Sequence, residues 1–313
     1  MPLDPQIAGI LALLDQMGAP SVASGTPEQA RALFRASTVG LRDPATNAVV
    51  RSVSDSTIPG PAGDIPIRIY RPDVDGPVPT MAFFHGGGFV IGDIETHDDQ
   101  ARLLCRDVGM VVVSVDYRLA PEYKFPAGFE DCLAATRWVS DHVSELGGDA
   151  DRIVVGGDSA GGNLAAAVAL TVRDTGPHLA AQFLIYPGVD FVEDADYPSR
   201  VENAEGYYLT AEEMTWFGGH YIDPSTDVND PRASPIRATD LSAVAPAVIG
   251  TAEFDPLRDE GEAYAKALAD AGVDVRLQRY AGMIHGFYGL GVHSAGAAAA
   301  VADMNRTLRD LLS

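Results

Sequence analysis

The chain has 313 residues, 46% of them hydrophobic, with 44 acidic side chains against 22 basic ones and a formal net charge of −22. That length suffices for one large domain with an appendage, and for a core that needs no disulfide or metal staple. A surface this acidic repels phosphate backbones and anionic lipid, which argues against nucleic-acid and membrane partners.

No uninterrupted apolar run approaches the ~18 residues of a membrane span. The opening MPLDPQ lacks the basic n-region of a secretory signal. Cys105 and Cys132 are the only cysteines, both in helix-like sequence. They read as reduced, partly buried thiols, and the expected compartment is the cytoplasm.

In chain order, Ile7, Ile10, Leu11, Leu14 and Met17 recur at helical spacing. Thr26-Pro27-Glu28 reads as an N-cap with proline at N1, opening a second helix to about Val39. Both helices precede any strand, and their residues alone favour packing on a sheet over forming a lid. Short alternating runs from Val49 to Tyr70, broken by PGPAGD, predict an antiparallel hairpin at a sheet edge.

Thr80–Phe84 is a buried strand leading into His85-Gly86-Gly87-Gly88. A helix is expected over Thr96–Asp107 with its cap at Thr96, then a strand over Met110–Val115 and a helix over Phe129–Leu146. Ile153-Val154-Val155 suits a buried strand, and Leu164–Val172 a helix. After a strand over Ala181–Ile185, residues 188–235 break the rhythm: acidic, aromatic, with one helix near Ala211–Tyr221. Regularity returns with strands at Ala247–Gly250 and Val275–Tyr280 and helices at Asp259–Ala271 and Ala295–Leu312. This alternation predicts an α/β fold, a mostly parallel sheet covered on both faces.

The chemistry centres on Gly157-Asp158-Ser159-Ala160-Gly161, between a strand and a helix. So sharp a turn strains its apex residue, and its neighbours must lack bulk. In a chain with 32 glycines, G-x-S-x-G alone would arise by chance in roughly one case in five. The flanking strand and helix make it a nucleophile elbow presenting Ser159.

A serine hydroxyl needs a base, and the base needs a third group to orient it. His142, His178, His220 and His293 lie away from strand ends, and His97 opens a charged helix. His285 follows the last strand, in a loop that the fold puts at the same sheet edge as the elbow. For the acid, Thr251–Asp259 follows a buried strand and offers three carboxylates. Asp255, held by Pro256, projects from the loop. Asp259 reads as a first-turn residue facing the helix dipole, and Glu253 as a supporting group at most. The order Ser159, Asp255, His285 is that of an α/β-hydrolase. Ala160 and the glycines after His85 would supply N–H donors to an oxyanion, each typically worth ~2.7–4 kcal/mol in the transition state.

HGGGFVIGDIETHD, DYRLAPEYKFPA, GDSAGGNLA, DPLRDEG and IHGF, in that order between Arg68 and Phe287, together resemble the bacterial hormone-sensitive-lipase family of carboxylesterases. The resemblance implies an α/β-hydrolase fold with a helical cap. Residues 1–45 and 188–235 would form the cap, and 46–187 with 236–313 the catalytic core. That overturns the packing preference for the first helices. It implies Ser159, Asp255 and His285 as the catalytic triad, with Gly87, Gly88 and Ala160 as oxyanion donors and Gly86 as an alternative. Tyr117, Arg118 and Glu122 would brace the loops beneath the site.

The expected substrates are short- to medium-chain acyl esters, cleaved through an acyl-enzyme without metal or cofactor. Members are often homodimers, but the sequence marks no interface. Two other readings share the scaffold: a ligand receptor similar to the plant gibberellin receptor, which has lost the triad histidine, and an amidase using the same residues.

Overall fold

The structure is a computed structural model describing residues 2–313. Among these residues, eight strands form one sheet: β1 (Ser52–Gly60), β2 (Gly63–Arg71), β3 (Val78–Phe84), β4 (Val111–Val115), β5 (Gly148–Asp158), β6 (Ala181–Ile185), β7 (Ala247–Phe254) and β8 (Val275–Ile284). Their spatial order is β1-β2-β4-β3-β5-β6-β7-β8. Only β2 runs antiparallel to its neighbours β1 and β4; the pairings from β4 through β8 are parallel. The predicted edge hairpin is therefore present.

Among the described residues, nine helices accompany the sheet: α1 (Pro5–Gln16), α2 (Pro27–Thr38), α3 (Asp98–Leu104), α4 (Ala127–Asp141), α5 (Ala160–Thr175), α6 (Ser199–Glu202), α7 (Ala211–Tyr221), α8 (Arg258–Asp270) and α9 (Ala295–Leu311). Strands β3, β4 and β6 are buried along their whole length, as continuous apolar runs covered on both faces must be. Side chains of successive residues point to opposite faces, so β3 feeds two cores. Ala82 and Phe84 join Cys132, Leu164, Val168 and Leu268 of α4, α5 and α8. Met81 and Phe83 join Leu104, Met304 and Leu308 of α3 and α9. Cys105 and Cys132 are free and fully buried.

Three elements differ from expectation. The helix predicted from Thr96 starts only at Asp98, and Cys105–Gly109 winds as a π-helix. Thr96 does not cap it. Its hydroxyl accepts from the Asp93 amide at 2.8 Å and donates to the Asp93 carbonyl, a local turn that competes with capping. Strand β7 continues through Phe254 and β8 through Ile284, each four residues past the predicted end. Their pairing survives because a bulge absorbs a mismatch: between Ala252↔Tyr280 and Phe254↔Ile284, β7 advances two residues and β8 four. The short α6 in the irregular segment was not expected.

The first helices do two things. At its start, α1 is packed: Ile7 is buried, the Asp4 amide donates to the Gly282 carbonyl at 3.0 Å, and Ser294 Oγ donates to Asp4 Oδ1 at 3.1 Å. Its far end is open, with Leu13 and Met17 exposed. In α2, closed by the expected Thr26 cap and a Gln29 capping box, Arg31 binds the Val90 and Ala120 carbonyls and the Glu122 carboxylate. Between the helices, Ser21 Oγ donates to Glu213 Oε1 of α7 at 2.8 Å, tying the N-terminal segment to the 188–235 segment. Among the described residues, no helix is long and apolar enough to cross a membrane.

Candidate active site

The site lies at the carboxyl ends of β3, β5, β7 and β8. Ser159 follows β5 and is the residue before α5, with φ +55° and ψ −116°, a region that a non-glycine residue enters only under strain. The neighbours leave no room for anything but glycine. A Cβ on Gly157 or on Gly161 would collide with the Phe84 carbonyl oxygen. The Ser159 amide is held by the Ile185 carbonyl at 2.8 Å.

Strands β7 and β8 end side by side on the Phe254↔Ile284 pair, so the next residues, Asp255 and His285, face each other. Asp255 is fully buried and His285 is 7% exposed. Asp255 Oδ2 lies 2.8 Å from His285 Nδ1. His285 Nε2 lies 2.9 Å from Ser159 Oγ. A buried carboxylate facing this ring accepts, so Nδ1 carries the proton and Nε2 is the bare nitrogen that accepts from the serine hydroxyl. The other Asp255 oxygen accepts from the Leu257 amide at 2.8 Å, which fixes the carboxylate's rotation. All three predicted residues meet.

The glycine turn after β3 closes the site on the other side. Gly87 has φ +120° and Gly88 φ +57°, backbone that glycine adopts without penalty. Among the described residues, neither the Gly87 nor the Gly88 amide donates to a protein acceptor. The Gly86 amide is engaged, donating to Asp158 Oδ1 at 2.8 Å. Ala160 opens α5, so its N–H has no intrahelical acceptor.

Sequence reasoning missed the layer behind this turn. Asp158, 6% exposed, sits 3.5 Å from His97 Nε2. Burial disfavours charge on both, yet their mutual attraction prevails: the His97 pKa is raised and the Asp158 pKa lowered. His85 stacks on Tyr117 at 4.4 Å, and the Tyr117 hydroxyl donates to the His85 carbonyl at 2.7 Å. His85 Nδ1–H donates to the Gly86 carbonyl at 2.8 Å, and its Nε2 is buried without a partner. Arg118 grips Asp131 with two nitrogens and Glu122 pairs with Arg31, the bracing expected of that stretch. Tyr186, directly after β6, puts its ring 4.6 Å from the His285 ring at φ +36°. Its signal is a bulky residue in left-handed backbone, which composition cannot reveal.

Two further carboxylates hold the chain on either side of Asp255. Glu253 Oε2 accepts from the Gly282 amide at 2.8 Å, linking the ends of β7 and β8. Asp259 does more than face a helix dipole: Oδ2 accepts from the Ser199 amide at 2.7 Å and Oδ1 pairs with Arg258.

Burial, reinforced by the neighbouring His97, lowers the His85 pKa from 6.5 to about 4. The unfolded chain therefore binds this proton more readily, and stability falls as pH drops from 6.5 through about 4. The expected loss from this group is about 3 kcal/mol, at 1.36 kcal/mol per pH unit. Urea unfolding at stepped pH checks it. His85→Phe should flatten the dependence over that window, and an unchanged slope would refute the assignment.

A family described as the alpha/beta hydrolase fold matches residues 81–289, which span the elbow, the glycine turn, Asp255 and His285. The chain is an alpha/beta hydrolase of the hormone-sensitive-lipase family. This hydrolase is 47% identical over 268 residues to the carboxylic ester hydrolase LipN of Mycobacterium tuberculosis, covering 83% of this chain and 71% of that protein. It is 40% identical over 233 residues to an ethyl acetate hydrolase of Pseudomonas putida, covering 72% of each. Among solved structures, it superposes on a hyperthermophilic esterase from the archaeon Pyrobaculum calidifontis with a TM-score of 0.94 and 42% identity, over the full length of both chains.

Proposed function

We infer that this hydrolase is a serine carboxylesterase cleaving short- to medium-chain acyl esters through an acyl-enzyme. The observation that carries this reading is the hydrogen-bonded run from Asp255 through His285 to Ser159, at the mouth of a turn with unengaged amides. Ser159 Oγ attacks the ester carbonyl while His285 Nε2 takes its proton, and Asp255 stabilises the imidazolium through Nδ1–H. The Gly87, Gly88 and Ala160 amides receive the charge on the carbonyl oxygen. Collapse breaks the bond to the alcohol, which leaves with the proton from Nε2. Water, deprotonated by the same nitrogen, then releases the acid.

Residues 1–45 and 188–235 serve as the cap, and the rest as the catalytic core. The bond between Ser21 and Glu213 supports treating the two cap segments as one unit. The short-chain preference is supported by the ethyl acetate hydrolase among the relatives.

A fluorophosphonate probe should label wild-type protein at Ser159 alone, and p-nitrophenyl esters from acetate to decanoate should show kcat/KM highest among the shorter chains. An unlabelled serine would favour a ligand-binding role. Faster turnover of matched anilides than of esters would favour an amidase.

A further inference from the structure

We propose that Tyr208 determines which leaving alcohols the enzyme accepts, a step that rests on the acyl-enzyme reading above. Tyr208 lies between α6 and α7, with φ +30°, a strained backbone for a large aromatic residue. It is 49% exposed, yet its ring does not simply face solvent. A Cβ built on Gly286 would lie 3.3 Å from Tyr208 Cε1 and 3.5 Å from Cδ1, so the ring covers the peptide directly after His285. The preceding Tyr207 stacks on Phe254, centroids 4.9 Å apart, and Phe254 directly precedes Asp255. The two tyrosines thus straddle the strand ends that carry the acid and the base. From the far side, Glu213 accepts from the Thr210 amide and from Ser21 Oγ, which limits how far the segment can retreat.

The direction of proton transfer decides what Tyr208 faces. The alkoxy oxygen must take its proton from His285 Nε2, so the alcohol half of the ester lies on the histidine side of Ser159. The carbonyl oxygen lies on the other side, towards the Gly87–Gly88 turn. There Phe217 of α7 covers the backbone: a Cβ on Gly88 would collide with its ring. Tyr208 is therefore the cap aromatic beside the departing alcohol, and Phe217 belongs to the opposite wall. A bulky ring at half exposure limits the width of the alcohol without contributing a charge or a required hydrogen bond.

The test measures kcat/KM for ethyl and cyclohexyl acetate, and for ethyl acetate and ethyl hexanoate, in wild type, Tyr208→Ala, Tyr208→Phe, Tyr208→Trp and Phe217→Ala. Active sites are counted with the fluorophosphonate probe. Tyr208→Ala should raise the cyclohexyl-to-ethyl ratio about tenfold or more, the scale on which pocket size discriminates, while the hexanoate-to-acetate ratio stays within about threefold. Tyr208→Phe should keep the wild-type alcohol ratio, and Tyr208→Trp should lower it even if the alanine variant does not fold. An unchanged alcohol ratio in labelled Tyr208→Ala and Tyr208→Trp, an equal shift in the acyl ratio, or the same alcohol shift in Phe217→Ala would overturn the proposal. Absence of Ser159 labelling in wild type would instead overturn the parent reading.

Discussion

Ser159→Ala is expected to lower kcat by about 10⁵- to 10⁶-fold, the scale seen when the nucleophile of such a triad is removed. The fold should survive. Alanine lacks only the Oγ, whose hydrogen bond runs to His285 and not to the backbone turn; the hydrogen bond from the main-chain N–H at this position to the Ile185 carbonyl is unaffected. What vanishes is the atom 2.9 Å from His285 Nε2. Ester hydrolysis and fluorophosphonate labelling check this together. Turnover above about a thousandth of wild type would show that some other group attacks the ester.

The second large effect is at the acid. Asp255→Asn preserves size but presents an amide whose NH₂ can donate to His285 Nδ1, favouring the tautomer with the proton on Nε2, where it cannot accept from serine. A loss of about 10⁴-fold in kcat is expected, with KM little changed. Asp259→Asn, four residues on, should cost less than about tenfold. Its carboxylate serves Ser199 and Arg258, so its loss appears instead as reduced stability, on the order of 1 kcal/mol. Steady-state kinetics beside urea unfolding separates the two variants. A reversed ranking in kcat would move the acid to Asp259.

How much of this was legible beforehand depends on the range of the interactions involved. The elbow could be read because its requirements are local: Gly157 and Gly161 are imposed by collisions within a few residues and with one neighbouring strand. The meeting of Asp255, His285 and Ser159 could be read because three strand ends share one rim of a parallel sheet, which alternation alone predicts. The Gly86 amide, an open alternative in the sequence, already donates to Asp158. The Asp158–His97 pair joins residues 61 positions apart, and no local pattern announces it. The contacts of 188–235 were illegible for the same reason. Tyr207, Tyr208 and Phe217 are placed by contacts with Phe254, Gly286 and Gly88, not by any period in their own sequence. The helix starts late because the Thr96 hydroxyl is engaged by Asp93 and no side chain caps the helix.

The bulge between β7 and β8 acts as a gauge for the distance between His285 and Ser159. Each residue of extended chain advances by roughly 3.3 Å, more than the whole 2.9 Å separation of Ser159 Oγ and His285 Nε2. Removing one residue from 281–284 would thus retract the imidazole by more than a hydrogen bond can span, and adding one would drive it into the serine. This four-residue step therefore admits no adjustment smaller than the hydrogen bond it positions.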